Sequence, residues 1–178
     1  TVVLASPDGK IGLYRKGQDG PTMIPLPAGV TSINALAKLD ASRIVAATNR
    51  GLLIYDISKG DVRIESVRSG AQLSVAVKEI FIDNRRRIWA FSDGNGVTMI
   101  NTNDWTQQWM AATADNPLLV TRSEAPFMHQ DNFGTVWVVP VGGTFSYYDE
   151  VSHRLVPYIL QSSGLAETDL PTINKFMI

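Results

Sequence analysis

Residues 77–101, VKEIFIDNRRRIWAFSDGNGVTMIN, decide the fold, because two other stretches repeat their grammar. These are INALAKLDASRIVAATNRGLLIYD at 33–56 and APFMHQDNFGTVWVVPVGGTFSYYD at 125–149. Val45, Trp89 and Trp137 hold the same place in the three, 44 and 48 residues apart. Asp56, Asn101 and Asp149 close the third short apolar run of each, 45 and 48 apart. A period of roughly 40 to 50 residues built only from short strands is the mark of radially stacked four-stranded sheets.

Each unit reads strand, polar turn, strand, glycine hairpin, strand, polar turn, weaker strand. The first strands are expected at 33–39, 77–82 and 125–130, followed by the turns DASR, DNRRR and DNFGT. Asp and Asn suit such turns because their side chains bond backbone N–H groups two residues on. Strongly apolar second strands follow at 44–48, 88–91 and 136–139. Hairpins carrying Gly51, Gly94 with Gly96, and Gly142 with Gly143 lead into third strands at 52–55, 97–100 and 145–148. Fourth strands are expected at 62–67, 106–110 and 155–160. No stretch sustains a 3.6-residue apolar period over three turns, which argues against crossover helices and parallel strands.

Residues 1–28 supply a second strand (VVLAS), a third (KIGLYRK) and a fourth (TMIPLP), while LPTINKFMI at the end echoes TSINALAKL at 31–39. The expected fold is therefore an all-β segment of β-propeller, with about four blades' worth of strands in four-stranded antiparallel blades. It divides into a partial blade at 1–28, blades at 31–69, 74–112 and 119–161, and the first strand of a further blade at 171–178. Two arrangements stay open. The terminal strands could join into one blade and close a ring without open edges. Alternatively the chain is an arc of a larger propeller.

Composition narrows the chemistry. A net charge of −1 gives no concentrated positive field for nucleic acid. The run Arg85-Arg86-Arg87 reads as a solvated basic turn. Without cysteine there is no thiol catalysis, disulfide or thiolate metal site. No apolar run is long enough to cross a bilayer.

The order Asp, Trp, Gly-Val or Gly-Leu, Tyr-Asp resembles the two-component regulator propeller repeat. A blade of that family reads roughly I-x-x-I-x-x-D-x-x-G-x-[LI]-W-x-G-T-x-x-G-L-x-x-Y-D. One unit here matches it with Ile33, Asp40, Val45, Thr48, Gly51, Leu52, Tyr55 and Asp56. The next carries Asp83, Ile88, Trp89, Gly96, Val97, Ile100 and Asn101, and the third Asp131, Gly134, Val136, Trp137, Gly143, Tyr148 and Asp149. Val45 departs from the aromatic, Asn101 from the aspartate, and the Gly-Thr after Trp is replaced by 90–92 and 138–140. The resemblance implies a periplasmic or extracytoplasmic sensor region of a membrane-anchored hybrid two-component histidine kinase. The kinase itself would lie outside these residues.

Val45, Trp89, Trp137, Tyr55 and Tyr148 read as the packed core between sheets rather than as sugar-stacking platforms. Trp105 sits in a polar turn and Trp109 on an outer strand. His129 and His153 have no ligand spacing, and neither 93–96 nor 101–104 continues as an EF-hand loop, so no metal and no cofactor are expected. There is no Gly-x-Ser-x-Gly elbow, and Asp40, Asp83 and Asp131 read as equivalent turn residues, not as acid and base. No catalytic residue is assigned.

Hairpins between second and third strands, and connections between blades, emerge at one end of a propeller. That end carries the ligand candidates Asn49, Arg50, Asp93 and Asn95, with Arg122 and Glu124 from the irregular 111–124 segment. The function that the resemblance implies is non-enzymatic sensing of an oligosaccharide. The alternative is a structural or protein-interaction propeller with no small ligand. Expected partners are neighbouring blades or domains of the parent chain and a second copy of itself, with neither nucleic acid nor membrane contacted by this segment.

Overall fold

The computed structural model describes residues 1–68, 74–92, 96–110, 127–139 and 146–158. Among them there are fifteen strands and no helix. The first sheet contains β1 (Val2–Ser6), β2 (Lys10–Tyr14) and β3 (Thr22–Met23). The second runs β4 (Ile33–Lys38), β5 (Arg43–Thr48), β6 (Gly51–Asp56) and β7 (Asp61–Glu65). The third is β8 (Glu79–Ile82), β9 (Arg87–Phe91), β10 (Val97–Asn101) and β11 (Gln107–Met110). The fourth is β12 (Phe127–Gln130), β13 (Val136–Val139), β14 (Ser146–Asp149) and β15 (Arg154–Pro157). Every sheet is an antiparallel meander in chain order.

The fourth strand expected across TMIPLP pairs only at Thr22–Met23. Pro25 and Pro27 have no N–H to give a ladder, so pairing stops after the Ile24 amide reaches the Ile11 carbonyl at 2.8 Å. The third strand of that unit ends at Tyr14 because Arg15 and Gln18 close a turn on each other.

Three apolar clusters join the sheets in series. Ile11, Leu13 and Ile24 of the first unit pack on Ile44, Ala46, Leu53 and Tyr55 of the second. The opposite face of the second sheet, with Val45, Ala47, Leu52 and Ile54, packs on Ile80, Ile88, Ala90 and Ile100 of the third. Trp89, Phe91 and Val97 on the third sheet's other face meet Met128, Val136, Val138 and Tyr148 of the fourth. Successive residues of a strand thus face successive neighbours, which requires both faces to be apolar and explains the near-continuous apolar second strands. This is the stacking of β-propeller blades. Among the described residues no apolar cluster joins the first sheet to the fourth, and Val2, Leu4 and Met23 on the first sheet's outer face are about half exposed (54, 53 and 52 %). The terminal 171–178 segment lies outside the described residues.

Register corrects the expected equivalence of Asp40, Asp83 and Asp131. Ala37 pairs with Val45, Phe81 with Trp89 and His129 with Trp137, so the central positions do align. Counting back, the residue matching Asp83 and Asp131 is Leu39, not Asp40. The backbone agrees: the amides of Leu39, Asp83 and Asp131 donate to the carbonyls of Arg43, Arg87 and Thr135 at 2.9, 3.2 and 3.0 Å. The later two turns place Arg86 and Gly134 at positive φ (61° and 88°) three residues on, whereas Ser42 does not adopt it. Asp40 lies one position later and organises a turn of its own.

Candidate functional site

Antiparallel order sends the second-to-third-strand hairpins and the sheet-to-sheet connections to one end of the stack. The first-to-second and third-to-fourth turns go to the other. Asn49 and Arg50 stand at the connection end, on the hairpin between β5 and β6. Gly51 makes that hairpin: its φ is 98°, and an added Cβ would stand 2.5 Å from the Glu65 carbonyl oxygen.

Both candidates are engaged by their own chain. Asn49 Oδ1 accepts from the Thr31 and Ser32 amides at 2.9 and 3.3 Å, and its Nδ2 donates to the Gly29 carbonyl at 2.9 Å. Arg50 Nη1 donates to the Ala28 carbonyl at 2.7 Å. Together they seat the connection from the first sheet to the second. Asp93, Asn95, Arg122 and Glu124 lie outside the described residues. The next connection is held the same way, with Gln107 bonding the Ser66 carbonyl and the Arg68 amide, and the Thr98 hydroxyl bonding the Arg68 carbonyl.

Of the residues read as core, Val45 and Trp89 are fully enclosed, Tyr55 and Tyr148 are buried, and Trp137 is half-buried. Each tryptophan N–H reaches the aspartate of its own turn: Trp89 Nε1 to Asp83 Oδ2 at 3.0 Å and Trp137 Nε1 to Asp131 Oδ2 at 2.9 Å. The Trp137 bond, helped by backbone N–H groups and opposed by desolvation, holds the Asp131 carboxyl below its ordinary range. Trp89 packs edge-on against Tyr148, ring centres 5.0 Å apart.

The turn end holds a group that the sequence concealed. Arg87 was expected in a solvated basic tip, yet it is buried. Its Nε donates to Asp83 Oδ2 at 2.6 Å, and its two terminal nitrogens fork onto Glu150 of the fourth sheet at 3.0 and 2.7 Å. Burial disfavours the charge, but the Glu150 and Asp83 bonds outweigh it and keep the guanidinium's affinity for its proton raised. Arg85 adds a pair to Glu150 at 2.9 Å. Asn84 and Gln130 exchange two more bonds across the same seam. Only Arg86 of the three is an exposed side chain without an ion pair among the described residues. The sequence signal for this seam would have been Glu150 beside the repeated Asp149, but nothing in one sequence links positions 87 and 150.

These carboxylates are spent on turns and seams, so no acid–base pair is assembled from Asp40, Asp83 and Asp131. His153 Nδ1 lies 3.3 Å from the Tyr148 hydroxyl, which also bonds Gln108, and His129 stacks on Phe127. Among the described residues no group of three metal-ligating side chains converges. No helix there is long and apolar enough to cross a membrane.

Four antiparallel sheets stacked face to face in chain order define an all-β, propeller-type protein. Known structures share this arrangement. An extracellular domain assigned to a one component system, BT4673 of B. thetaiotaomicron, superposes with a TM-score of 0.63 at 11% identity, over 87% of this chain and 23% of that one. A second structure of that extracellular domain, there described as belonging to a hybrid two component system, gives 0.59 at 11% identity over 87% and 24%. The WD40 propeller domain of Doa1 gives 0.57 at 16% identity over 85% and 48%. This chain therefore spans about a quarter of the length of the BT4673 domain. At these identities the likeness is one of fold. No protein-family model matches the sequence. No curated protein matches it either.

Proposed function

We propose that this chain is a propeller segment of an extracytoplasmic, solute-sensing region in a two-component signalling protein, and that it binds a carbohydrate without turning it over. The observation that carries this reading is the fold shared with an extracellular domain of a two-component or one-component system over 87% of the chain. The repeat motif around Trp89 and Trp137 supports it. The ligand-facing surface in this reading is the connection end, where Arg50 stands, with Asp93, Asn95, Arg122 and Glu124 as its further candidates. Binding would act by population shift, favouring one arrangement of the segment against its neighbouring domain or a second copy.

The test is a glycan-array screen followed by titration of each hit against Arg50→Ala, Asp93→Ala and Arg122→Ala. Saturable binding weakened by these changes supports sensing. Binding to no glycan would overturn it and leave the scaffold reading. That second reading has an observation of its own: Asn49 and Arg50 already bond the 28–32 connection. A scaffold would show a protein contact face and no solute binding.

A further inference from the structure

A cleft of about 190 Å³ opens at the turn end of the second sheet, at the opposite end from Asn49 and Arg50. It is lined by Asp56, Lys59, Asp61 and Arg63, with Ile54 and Val62 on the strands beneath them. Arg43 reaches its rim but is committed to Asp40, with Nε and Nη2 at 2.7 and 2.6 Å from one carboxylate oxygen. Arg63 is differently placed. Its guanidinium carbon lies 3.8 Å above the centre of the Trp105 ring, and it makes no ion pair with a described carboxylate.

Trp105 comes from the next sheet and packs against the cluster between the second and third sheets. It holds φ at 61°, a left-handed conformation that is a genuine outlier for a bulky side chain. Its amide closes the turn onto the Asn101 carbonyl at 2.8 Å. The strained turn thus sets an indole under the guanidinium. Stacking uses the face of the guanidinium and leaves its edge N–H donors in the plane, the geometry that forks a carboxylate. Asp56 uses Oδ1 for the Ser58 amide, the Ser58 hydroxyl and the Lys59 amide, and Oδ2 makes no bond among the described residues. Asp61 adds a second carboxylate to the wall.

We propose that this cleft binds a single acidic sugar unit, a uronate. Arg63 forks its carboxylate with Lys59 as the second cation, and Asp56 and Asp61 accept its ring hydroxyls. The volume fits one small unit, being below the roughly 300–1,000 Å³ of sites for drug-sized ligands. Two cations free to pair select a carboxylate, and two acidic acceptors beside them reject a plain dianion and welcome hydroxyl donors. The choice of a sugar rests on the carbohydrate-sensing reading. The site itself does not, since it lies at the other end of the stack.

The test is calorimetric titration of the whole chain with sodium D-glucuronate, D-glucose and sodium acetate, with Trp105 fluorescence as a second readout. Glucuronate should bind saturably, and glucose and acetate at least about tenfold more weakly, or about 1.4 kcal/mol. Arg63→Lys keeps the charge but loses the fork and the stack, and should weaken glucuronate by about tenfold. Lys59→Gln should weaken it less and steepen no melting curve, both side chains being exposed. Absence of saturable glucuronate binding, equal affinity for glucose or acetate, or full affinity in Arg63→Lys would overturn the proposal. Glucuronate binding lost in Arg50→Ala but kept in Arg63→Lys would overturn it too, while leaving carbohydrate sensing at the connection end intact.

Discussion

Leu39 occupies in the second sheet the place that Asp83 occupies in the third. Their amides close the same turn bond, to Arg43 and Arg87, and each precedes by six residues the central paired position of a second strand, Val45 and Trp89. The residues above them change together. Asp83 accepts from Trp89, whereas Leu39 stands over Val45, and both residues of that pair are buried in one apolar cluster. A buried indole N–H needs an acceptor and a buried carboxylate needs donors, so the polar pair is kept or replaced as a unit.

Asp83→Ala should therefore be the costliest turn substitution. It strips the acceptor from Trp89 and one of two counter-charges from Arg87, both buried. Breaking a buried pair from one side costs ~3–5 kcal/mol. Urea unfolding checks it, and a loss no greater than for Asp40→Ala would contradict the assignment. Replacing Asp83 and Trp89 together by Leu and Val should recover part of the loss, although the Arg87 charge stays behind.

Trp89→Ala should destabilise by ~3–5 kcal/mol, since the ring is wholly enclosed between the third and fourth sheets. Trp137→Ala should cost less because that ring is half-buried. Equal shifts in the denaturation midpoint would show the two environments to be alike.

Asn49→Ala removes acceptor and donor from the connection at Gly29, Thr31 and Ser32. Two of these bonds are exposed and the third is part-buried, so the global loss should be about 1 kcal/mol. The local effect is the sharper measurement: hydrogen exchange at the Thr31 and Ser32 amides should accelerate while that at Val45 stays unchanged.

Gly51→Ala should also destabilise, by more than the ~1 kcal/mol of an ordinary backbone change. Its φ of 98° disfavours any side chain, and the new Cβ would press on the Glu65 carbonyl, a backbone atom of β7 that cannot swing away. Thermal unfolding reads the change, and a neutral result would mean that the hairpin relaxes freely.

Asp40 makes acid stability testable. Desolvation pushes its carboxyl up, but bonds from the Arg43 side chain and the Ser42 and Arg43 amides win and bring it down to about 2. A depressed folded-state value contributes stability above the unfolded-state pKa and loses it as the carboxyl protonates. The contribution should fade as pH falls from about 4 towards about 2. Melting temperature against pH should fall less steeply across that window in Asp40→Asn than in the parent chain.

The strand order, the sheet count and the central Val45, Trp89 and Trp137 positions were legible in one sequence. They depend on local alternation, turn chemistry and a repeat, all of which are written along the chain. The turn equivalence is legible only to within one residue, because an aspartate stands at 40 as well as at 83 and 131. Spacing from a turn is ambiguous by one where both neighbours suit it, and only pairing register settles which side chain faces inward. Of the ligand candidates, Asn49 and Arg50 stand on a hairpin as expected, but their bonds to the 28–32 connection depend on a segment seventeen to twenty-two residues away.

Local patterning thus determined by itself that this chain makes antiparallel four-stranded blades, because burying both faces of a strand demands apolar residues at consecutive positions. What stands across each seam was left to the tertiary structure: Arg87 on Glu150, Arg63 on Trp105, Asn49 on its neighbour's connector. A charge or an amide finds its partner through space, and the Coulomb and hydrogen-bond terms that select it fall off over a few ångströms, whatever the separation along the chain.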